Sequence, residues 1–478
     1  MKKLVQLVII IFWSAMVVLL IYRHAPVPGL GVDARSLLPE SSDKWMGIYM
    51  KGRKIGYARS KFNREIDGYS AYEEIKMTLK VFGTAQDVHT TTRVVLSPEL
   101  KVRSFRFNMD AAQDVEIKGR IRDRLLNLEI RTGESESKKT VLLDQEPQMG
   151  ITVLPYLMKK GFKTGMRMNI PVFDPATLSS QNMLIEIMGR ETIMLHGTET
   201  ESFRIRGDLN GIPMFMWVDE QGNELKEESP LGFTLIAEPM AEAVNLPGLT
   251  SDVSDIILLT SVPFNIDLPE DISFLKMQIK GIDFEGFDLN GGRQSLKGDI
   301  VEINTEDIAE AGHVSLPVSG MDRFLEDSPF IQSKALEIVK LSREILGGEK
   351  DSLAAARKLW LWVYTNIEKK PSITLPSAVD VLKIRQGDCN EHTALYTALA
   401  RAAGLPARIS TGLVYRDGYF YYHAWPEVFT GQWIDIDPTL GQFPADATHL
   451  RLVRGDMDKQ LILLRAINNI ALIGIEYK

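Results

Sequence analysis

The segment GDCNEHTALYTALARAAGLPAR, at residues 387–408, is the best-punctuated stretch of the chain and decides the fold of its C-terminal part. Asp388 is a favourable N-cap residue, and Glu391, three positions further on, completes the pattern of a capping box. Gly404 has the place of a residue just beyond a helix end, where glycine is strongly favoured. The segment therefore predicts a helix whose first turn carries Cys389.

Cys389 is the one cysteine in the sequence, so no intramolecular disulfide can form. At the first turn of a helix, unpaired backbone N–H groups and the helix dipole favour an anion. Thiols in such places have lowered pKa values. We therefore expect a reactive thiol at this position, in preference to a small buried apolar residue.

A predicted β-hairpin follows the helix and carries the residues that would assist the thiol. His423 lies in the predicted strand Tyr419–Phe429, and Asp437 ends the returning strand Trp433–Asp437. Side chains alternate along strands, so the turn between them puts Asp437 opposite or diagonal to His423. Asp435 lies one pair nearer the turn and is the weaker candidate for contact with the imidazole.

These three side chains predict acyl transfer by a thiol. Cys389 would attack an amide or ester carbonyl with His423 as the base, and His423 would then protonate the leaving amine. Asp437 would fix the tautomer and orientation of the imidazole. The backbone N–H of Cys389 would meet the oxyanion together with one further donor. Candidates for that second donor are Gln386, Trp425 and Trp433.

Four segments carry a resemblance to a known family: GDCNEH at 387–392, ARAAGLPAR at 400–408, HAWPEV at 423–428 and WIDIDPT at 433–439. In their order and spacing, the residues from about 331 onward resemble the transglutaminase-like superfamily of papain-type folds. The resemblance implies that Cys389 is the nucleophile, His423 the base and Asp437 the orienting acid. It also implies an α+β catalytic domain that needs no cofactor or metal.

The resemblance does not choose the reaction, because members of this superfamily act as transglutaminases, peptidases, amidases or noncatalytic scaffolds. The compact domain favours a cysteine peptidase or amidase over a cross-linking transglutaminase. The expected substrate is a protein or peptide, including material of the cell envelope. A third hypothesis is a zinc hydrolase in which Cys389, His392 and His423 bind the ion with Asp437 or water, and a chelator would distinguish it from the thiol enzyme.

The N-terminus predicts a membrane anchor. Lys2 and Lys3 precede an apolar run at residues 4–21, which would span about 27 Å as a helix, close to the hydrocarbon thickness of a bilayer. We expect an uncleaved signal anchor, with a cleaved signal peptide as the alternative. The positive charges before the run favour a single-pass inner-membrane protein whose bulk lies on the periplasmic side.

The rest of the chain predicts an α+β multidomain protein with a β-rich middle region. Short β-branched and aromatic runs are separated by turn signals such as Asn210-Gly211. The predicted organisation is a transmembrane signal anchor at 1–24, a linker at 25–42, a β-rich domain at 43–245, a small β-rich domain or spacer at 246–320, and the catalytic domain at 321–478.

Composition excludes one class of partner. The net charge is −8, the pI is near 5.6, and lysine and arginine are interspersed with acidic residues. A nucleic-acid-binding surface is therefore not expected. Two further residues have ordinary structural interpretations at this stage: His449 is expected to be a surface or packing residue, and Glu427 a residue on the solvent side of its strand.

Overall fold

A computed structural model describes residues 38–111, 113–229, 231–246, 255–309, 312–371, 373–455 and 457–478. Its largest element is a 14-stranded antiparallel sheet, in which neighbouring strands along the chain mostly form hairpins. The sheet order is β8-β7-β6-β5-β4-β3-β2-β1-β14-β13-β12-β11-β10-β9. The strands are β1 Ser41–Met50, β2 Arg53–Glu65, β3 Gly68–Val81, β4 Thr84–Leu96, β5 Val102–Asp110, β6 Val115–Arg122, β7 Leu125–Thr132, β8 Ser135–Leu142, β9 Arg167–Asp174, β10 Ser179–Leu195, β11 Thr198–Leu209, β12 Ile212–Val218, β13 Glu224–Glu228 and β14 Phe233–Ala237.

The large sheet curls, so that β9 at one end packs against β5, the fourth strand from the other end. The rings of Phe105 on β5 and Phe173 on β9 have centroids 5.4 Å apart, and both side chains are buried. Strand twist makes a sheet of this many strands bend instead of staying flat. The Asn210-Gly211 turn predicted from the sequence is confirmed, with Leu209 paired to Ile212 on either side of it.

The helices lie mostly in the C-terminal half of the chain. They are α1 Gly150–Lys160, α2 Met240–Ala243, α3 Ile256–Thr260, α4 Leu336–Leu346, α5 Ser352–Asn366, α6 Ala378–Ile384, α7 Cys389–Ala402 and α8 Met457–Gln460, with short 3-10 turns at Asp322–Phe324 and Leu461–Arg465. The helix predicted to begin at Cys389 is confirmed, and it ends at Ala402.

A second sheet supports the predicted catalytic residues. Its order is β15-β22-β21-β24, and β23 pairs with the far end of β22. The strands are β15 Val262–Pro263, β21 Ala407–Arg416, β22 Tyr419–Phe429, β23 Trp433–Asp435 and β24 His449–Arg454. Helix α7 is the central helix of this region, because it contacts α4, α5 and α6 as well as β21 and β22. Its apolar residues, among them Leu395 and Leu399, are fully buried in the shared core.

A small four-stranded sheet joins distant parts of the chain. Its order is β17-β18-β16-β25, with β16 Phe274–Lys280, β17 Gln294–Lys297, β18 Ile300–Asn304 and β25 Ala471–Tyr477. The C-terminal strand β25 thus pairs with β16, nearly two hundred residues earlier in the chain. A two-stranded parallel ladder, β19 Glu368–Lys369 with β20 Gln386–Gly387, leads directly into α7.

Two side chains from the C-terminal region fill the core of the large sheet. Phe330, in the loop before α4, and Leu375, in the loop before α6, are each 6% exposed and join the apolar cluster that contains Phe105. Next to Leu375, the hydroxyl of Thr374 donates a hydrogen bond to Glu391 in the first turn of α7. The loop before α6 therefore connects the large sheet to the helix that carries Cys389.

The predicted fold class was wrong. Strands make up 48% of the structure and helices 18%, so it is a β-rich protein built around the large sheet and not the predicted α+β protein. In the part of the chain that the structure describes, no helix is long and apolar enough to cross a membrane, since the longest, Ser352–Asn366, has 15 residues. The single-pass inner-membrane location is corrected on the same finding. The predicted anchor at 1–24 lies outside the described residues.

The buried position of Leu375 leads to a stability prediction. Leu375→Ala should lower the free energy of unfolding by about 2–4 kcal/mol, because it leaves a cavity in the core of the large sheet. Urea denaturation of the full chain measures this change. Leu361→Ala is the matched control, since Leu361 on α5 is 50% exposed and its loss should cost below about 0.5 kcal/mol. Equal effects of the two changes would contradict the packing described here.

Candidate active site

Helix α7 begins at Cys389, and its start is capped as the sequence predicts. The side chain of Asp388 accepts a hydrogen bond from the backbone N–H of Asn390, at 2.8 Å. In return, the carboxylate of Glu391 accepts from the backbone N–H of Asp388, also at 2.8 Å. The predicted capping box is therefore confirmed. It fixes the first turn of the helix and the place of the thiol.

The start of α7 packs on an edge of β22 that has no strand partner. Strand β15 pairs with Tyr419 and Phe420, and β23 pairs with residues 427–429, so the edge between them is free of strands. There the hydroxyl of Thr393 donates a hydrogen bond to the carbonyl of Ala424, at 3.1 Å. The thiol of Cys389 also hydrogen-bonds with the backbone of Ala424. Cys389 is thus brought next to the neighbour of His423 in sequence.

His423 and Asp437 are in direct contact, as the hairpin register predicts. Nε2 of His423 lies 2.6 Å from Oδ2 of Asp437, and both side chains are buried. Oδ1 of Asp437 accepts from the backbone N–H groups of Thr439 and Leu440, at 2.7 and 2.8 Å. The indole N–H of Trp360 donates to the carbonyl of Asp437, at 3.1 Å. This residue is therefore held at its side chain and at its backbone.

The contact through Nε2 leaves Nδ1 as the nitrogen of His423 that can accept a proton from a thiol. Because the Asp437 oxygen is an acceptor, Nε2 carries the hydrogen of the neutral ring. The tautomer is then set by the carboxylate, which is the role that an orienting acid has in a catalytic triad. The indole ring of Trp425 stacks near His423, with centroids 6.1 Å apart and planes at 20°.

A second histidine, His449, also binds Asp437. Its Nε2 lies 3.0 Å from Oδ2 of Asp437, and its Nδ1 lies 3.2 Å from Oδ1 of Asp446. The ring is fully buried on β24. The sequence predicted only a surface or packing role for His449 and did not indicate this contact. The alternation of apolar and polar residues in HLRLVR, at 449–454, was the signal of a strand that could have indicated it.

The charges of this cluster stabilise one another. Burial alone would raise the pKa of Asp437, but the hydrogen bonds and charges of His423 and His449 lower it well below its usual range. Burial would likewise lower the pKa of His449, but its bonds to Asp437 and Asp446 raise the pKa to about 9. His449 is therefore a protonated imidazolium at neutral pH, with both of its N–H groups donated to carboxylates.

The thiol differs from the expectation drawn from its place on the helix. Burial raises the pKa of Cys389 well above the ordinary value, and the negative charges of Asp388, Glu391 and Asp437 raise it further. The hydrogen bond from the Ala424 backbone acts in the opposite direction but is outweighed. The capping box thus has two effects: it fixes the helix start, and its carboxylates oppose ionisation of the adjacent sulfur. The thiol is protonated in the resting protein.

The three side chains considered as a second oxyanion donor lie in different surroundings. The indole N–H of Trp425 donates to Oδ2 of Asp435 at 2.8 Å, so this hydrogen is already used. The ring of Trp433 lies beneath the guanidinium of Arg408, 3.9 Å from its centroid. Gln386 lies in β20, just before the start of α7, and its side-chain oxygen Oε1 accepts a hydrogen bond from Nζ of Lys370 at 3.2 Å. Its position makes it the nearest of the three to Cys389 in sequence.

Glu427 is another residue that sequence reasoning misplaced. It is completely buried, where the guanidinium groups of Arg408 and Arg454 donate to its carboxylate together with the hydroxyl of Ser410. Burial would raise the pKa of Glu427, but the two arginines outweigh it and lower the pKa to about 2. The prediction of a solvent-side residue was therefore wrong. Two arginines across neighbouring strands are the reason a carboxylate can be buried here.

The side chains of the zinc hypothesis do not gather around one point. His392 is fully buried, and its Nδ1 donates to the carbonyl of Asp388 at 2.7 Å, one turn back on its own helix. A different set, His423, Asp437 and His449, has one ligand atom each within 4.8 Å of the others. However, Oδ2 of Asp437 already accepts from both rings, and the other nitrogen of His449 donates to a second carboxylate. The donor pattern fits a hydrogen-bonded network better than a set of metal ligands.

A cysteine at a helix start, beside a strand whose histidine binds an aspartate, is the arrangement of the transglutaminase-like, papain-type domains. Residues 339–438 match the family model of the Transglutaminase-like superfamily. The chain therefore carries a transglutaminase-like domain over these residues, and this supports the general assignment of a thiol-dependent enzyme.

Three similar proteins each match less than half of this chain. An uncharacterized protein of Haemophilus influenzae is 31% identical over 98 residues, which are 20% of this chain and 26% of that protein. A candidate cysteine protease of Cytophaga hutchinsonii is 18% identical, covers 44% of this chain and 85% of its own, and has a TM-score of 0.28. A β-barrel-like protein of Brucella abortus is 9% identical over 41% of this chain and 94% of its own, with a TM-score of 0.31. Both scores are too low to support a functional conclusion.

The raised pKa of the thiol can be tested at Asp388. Asp388→Asn keeps a good N-cap residue but removes the negative charge next to Cys389, so the pKa of the thiol should fall. The rate of alkylation by iodoacetamide should then begin to rise at lower pH than in the wild-type protein. Asp417→Asn is the control, because this aspartate lies exposed in the turn between β21 and β22. An unchanged profile in Asp388→Asn would show that its charge does not act on the sulfur.

The raised pKa of His449 leads to a second prediction, on stability. Because the pKa is about 9 in the folded protein and 6.5 in the reference state, protonated His449 adds stability that is complete below pH 6.5 and lost as the pH rises through 9. Between pH 6.5 and 9.5, the wild-type protein should lose at least about 1 kcal/mol more than His449→Gln. Urea denaturation at the two pH values measures the difference, and equal losses would contradict the ion pair.

Proposed function

We propose that the C-terminal domain catalyses thiol-dependent acyl transfer on peptide or amide bonds, as a cysteine peptidase or amidase. Cys389 is the nucleophile, His423 the general base and acid, and Asp437 the residue that orients the imidazole. The observation that carries this proposal is the contact of 2.6 Å between His423 and Asp437, beside a helix start that presents Cys389 to the neighbouring backbone of Ala424.

In the first half of the reaction, the sulfur of Cys389 forms a bond to the substrate carbonyl carbon while Nδ1 of His423 takes the thiol proton. The carbonyl oxygen becomes an oxyanion, to which the backbone N–H of Cys389 donates a hydrogen bond in this proposal. As the tetrahedral species collapses, the carbon–nitrogen bond breaks and the imidazolium gives its proton to the leaving amine. A thioester on Cys389 remains.

In the second half, an acceptor attacks the thioester. His423 takes a proton from the acceptor, the carbon–sulfur bond breaks, and the proton returns to the sulfur as the acyl product leaves. Water as the acceptor gives hydrolysis, and a primary amine gives a new amide bond. The resemblance to transglutaminases makes amine transfer the second candidate, and both outcomes use the same three side chains.

The raised pKa of Cys389 determines how the first step proceeds. A protonated resting thiol needs its base at the moment of attack, so the transfer to His423 accompanies the formation of the sulfur–carbon bond. Asp437 supports that step in two ways: it holds Nδ1 toward the sulfur, and its negative charge stabilises the imidazolium that forms. The charge of Asp437 is itself shared with His449.

Alkylation of the single cysteine tests this proposal before any substrate is known. In the full chain at pH 7, His423→Ala should react with iodoacetamide at least about tenfold more slowly than the wild type, because the base is absent. Asp437→Asn should be slowed as well. His89→Ala is the control, since this histidine lies on β4 of the large sheet and is partly exposed. Equal rates in wild type and His423→Ala would contradict the proposed base.

Short peptides that contain glutamine then distinguish the two acceptors. Release of ammonia in plain buffer measures hydrolysis, and covalent uptake of a fluorescent primary amine measures transfer. Cys389→Ala should abolish both signals. If Cys389 of the wild-type protein is alkylated rapidly but none of these peptides is processed, glutamine-containing peptides are excluded as the substrate. If alkylation of Cys389 is slow in the wild-type protein and equally slow in His423→Ala, the noncatalytic scaffold is favoured.

A further inference from the structure

We propose that His449 is a positioning residue of this active site, which holds the Asp437 carboxylate in place through a second imidazole hydrogen bond and thereby fixes His423. The inference rests on the proposed function of Cys389, His423 and Asp437. It adds a fourth side chain to that site, together with Asp446, and both lie beyond residues 339–438, the range of the family match. Neither belongs to the motifs that carry the resemblance.

The geometry around His449 supports a positioning role. Its ring is bonded at both nitrogens, to Asp437 at 3.0 Å and to Asp446 at 3.2 Å. The ring packs edge-on against Trp425, with centroids 5.1 Å apart and planes at 79°. The ring of His423 lies 5.8 Å away. His449 therefore touches the carboxylate and the indole that each contact the proposed base, without lying beside Cys389 itself.

Asp446 makes the outer end of this arrangement rigid. Its Oδ1 accepts from the backbone N–H of Thr448, at 3.0 Å, and from the hydroxyl of the same residue. Its Oδ2 accepts from the side-chain amide of Gln442, at 3.0 Å. Residue 442 in turn hydrogen-bonds to the backbone of Asp437. The loop between the two aspartates thus closes on itself, and His449 bridges its ends.

Packing alone does not account for a histidine at this position. A phenylalanine would fill the same space on β24 opposite Val414, its partner on β21. It would, however, leave Asp437 and Asp446 as two buried carboxylates with fewer donors, and an uncompensated buried charge is strongly unfavourable. The imidazolium of His449 supplies a positive charge that contacts both aspartates.

His449 also sets how strongly Asp437 acts on His423. The charged groups that face His449 are Asp437 and Asp446, with His423 beyond the shared carboxylate. Arg451, two residues further along β24, is directed instead at the carbonyls of Asp288 and Gly291. With His449 protonated, part of the Asp437 charge is neutralised. Without it, the full charge of Asp437 would favour the protonated form of His423.

Two variants at His449 distinguish the effect of its hydrogen bonds from the effect of its positive charge. His449→Phe removes both donors, whereas His449→Gln keeps an N–H that can reach Asp437 but no charge. We expect the maximal alkylation rate of Cys389 to fall about tenfold in His449→Phe and only about threefold in His449→Gln. In both variants the rise of the alkylation rate with pH should move to higher pH by about one unit, because the unshared charge of Asp437 favours the protonated form of the base. A purely structural role would leave the pH at which the rate rises unchanged.

Asp446→Asn is a milder variant that tests the same role if the substitutions at His449 prevent folding. It leaves His449 in place but removes the charge of one of the two carboxylates that hold its ring, so the maximal alkylation rate should fall by less than in His449→Phe. Circular dichroism and the thermal midpoint verify folding of each variant, with His89→Gln as the histidine control. If His449→Phe does not fold, the alkylation rates of His449→Gln and Asp446→Asn test the positioning role in its place.

The outcomes distinguish the two proposals. If His423→Ala slows alkylation but the His449 and Asp446 variants keep the wild-type rate and profile, the positioning role is overturned and the proposed function stands. If His423→Ala alkylates like the wild type, the proposed function fails and the positioning role fails with it. Both proposals are supported if the rate falls in His449→Phe, is partly restored in His449→Gln, and rises at higher pH in both variants than in the wild type.

Discussion

The carboxylate of Asp437 is the group on which the rest of the site depends. It is completely buried, and a buried anion is tolerated only when hydrogen bonds and positive charge replace its water. The chain meets this need with two imidazoles at Oδ2 and two backbone N–H groups at Oδ1. Each donor restricts the carboxylate in a different direction. His423 therefore acquires a fixed ring orientation as a consequence of how Asp437 is buried, before any substrate is present.

A second constraint is the gap in the strand partners of β22. Because β15 covers one end of this edge and β23 the other, the backbone of Ala424 is left to bond with side chains of α7. The helix start and the histidine strand are thus joined by the same kind of hydrogen bond that a further strand would have used. A strand continuing through the gap would occupy the place of Cys389. The interruption of the sheet is what makes room for the nucleophile.

The parts of the site that could be predicted are the ones encoded locally. The capping box at Asp388 and the alternation along β22 depend on neighbours within a few residues, and both were recognised. His449 and Glu427 could not be interpreted in this way, because their partners come from other strands: β24 joins β21 at its far edge, and Arg454 reaches Glu427 across it. The fold class failed for a related reason. Periodicity indicates strands, but it does not show that fourteen of them continue into one sheet.

The state of the thiol connects the fold to the chemistry. A helix start favours a thiolate, yet here the capping carboxylates and burial raise the pKa of Cys389. A protonated thiol is a weak nucleophile, so even a small alkylating reagent depends on a base that takes the proton of Cys389. Reactivity then depends on His423 taking the proton at the time of attack. Because that step requires a correctly oriented ring, the hydrogen bonds of Asp437, and those of His449 behind it, control a reaction that the sulfur alone would not perform.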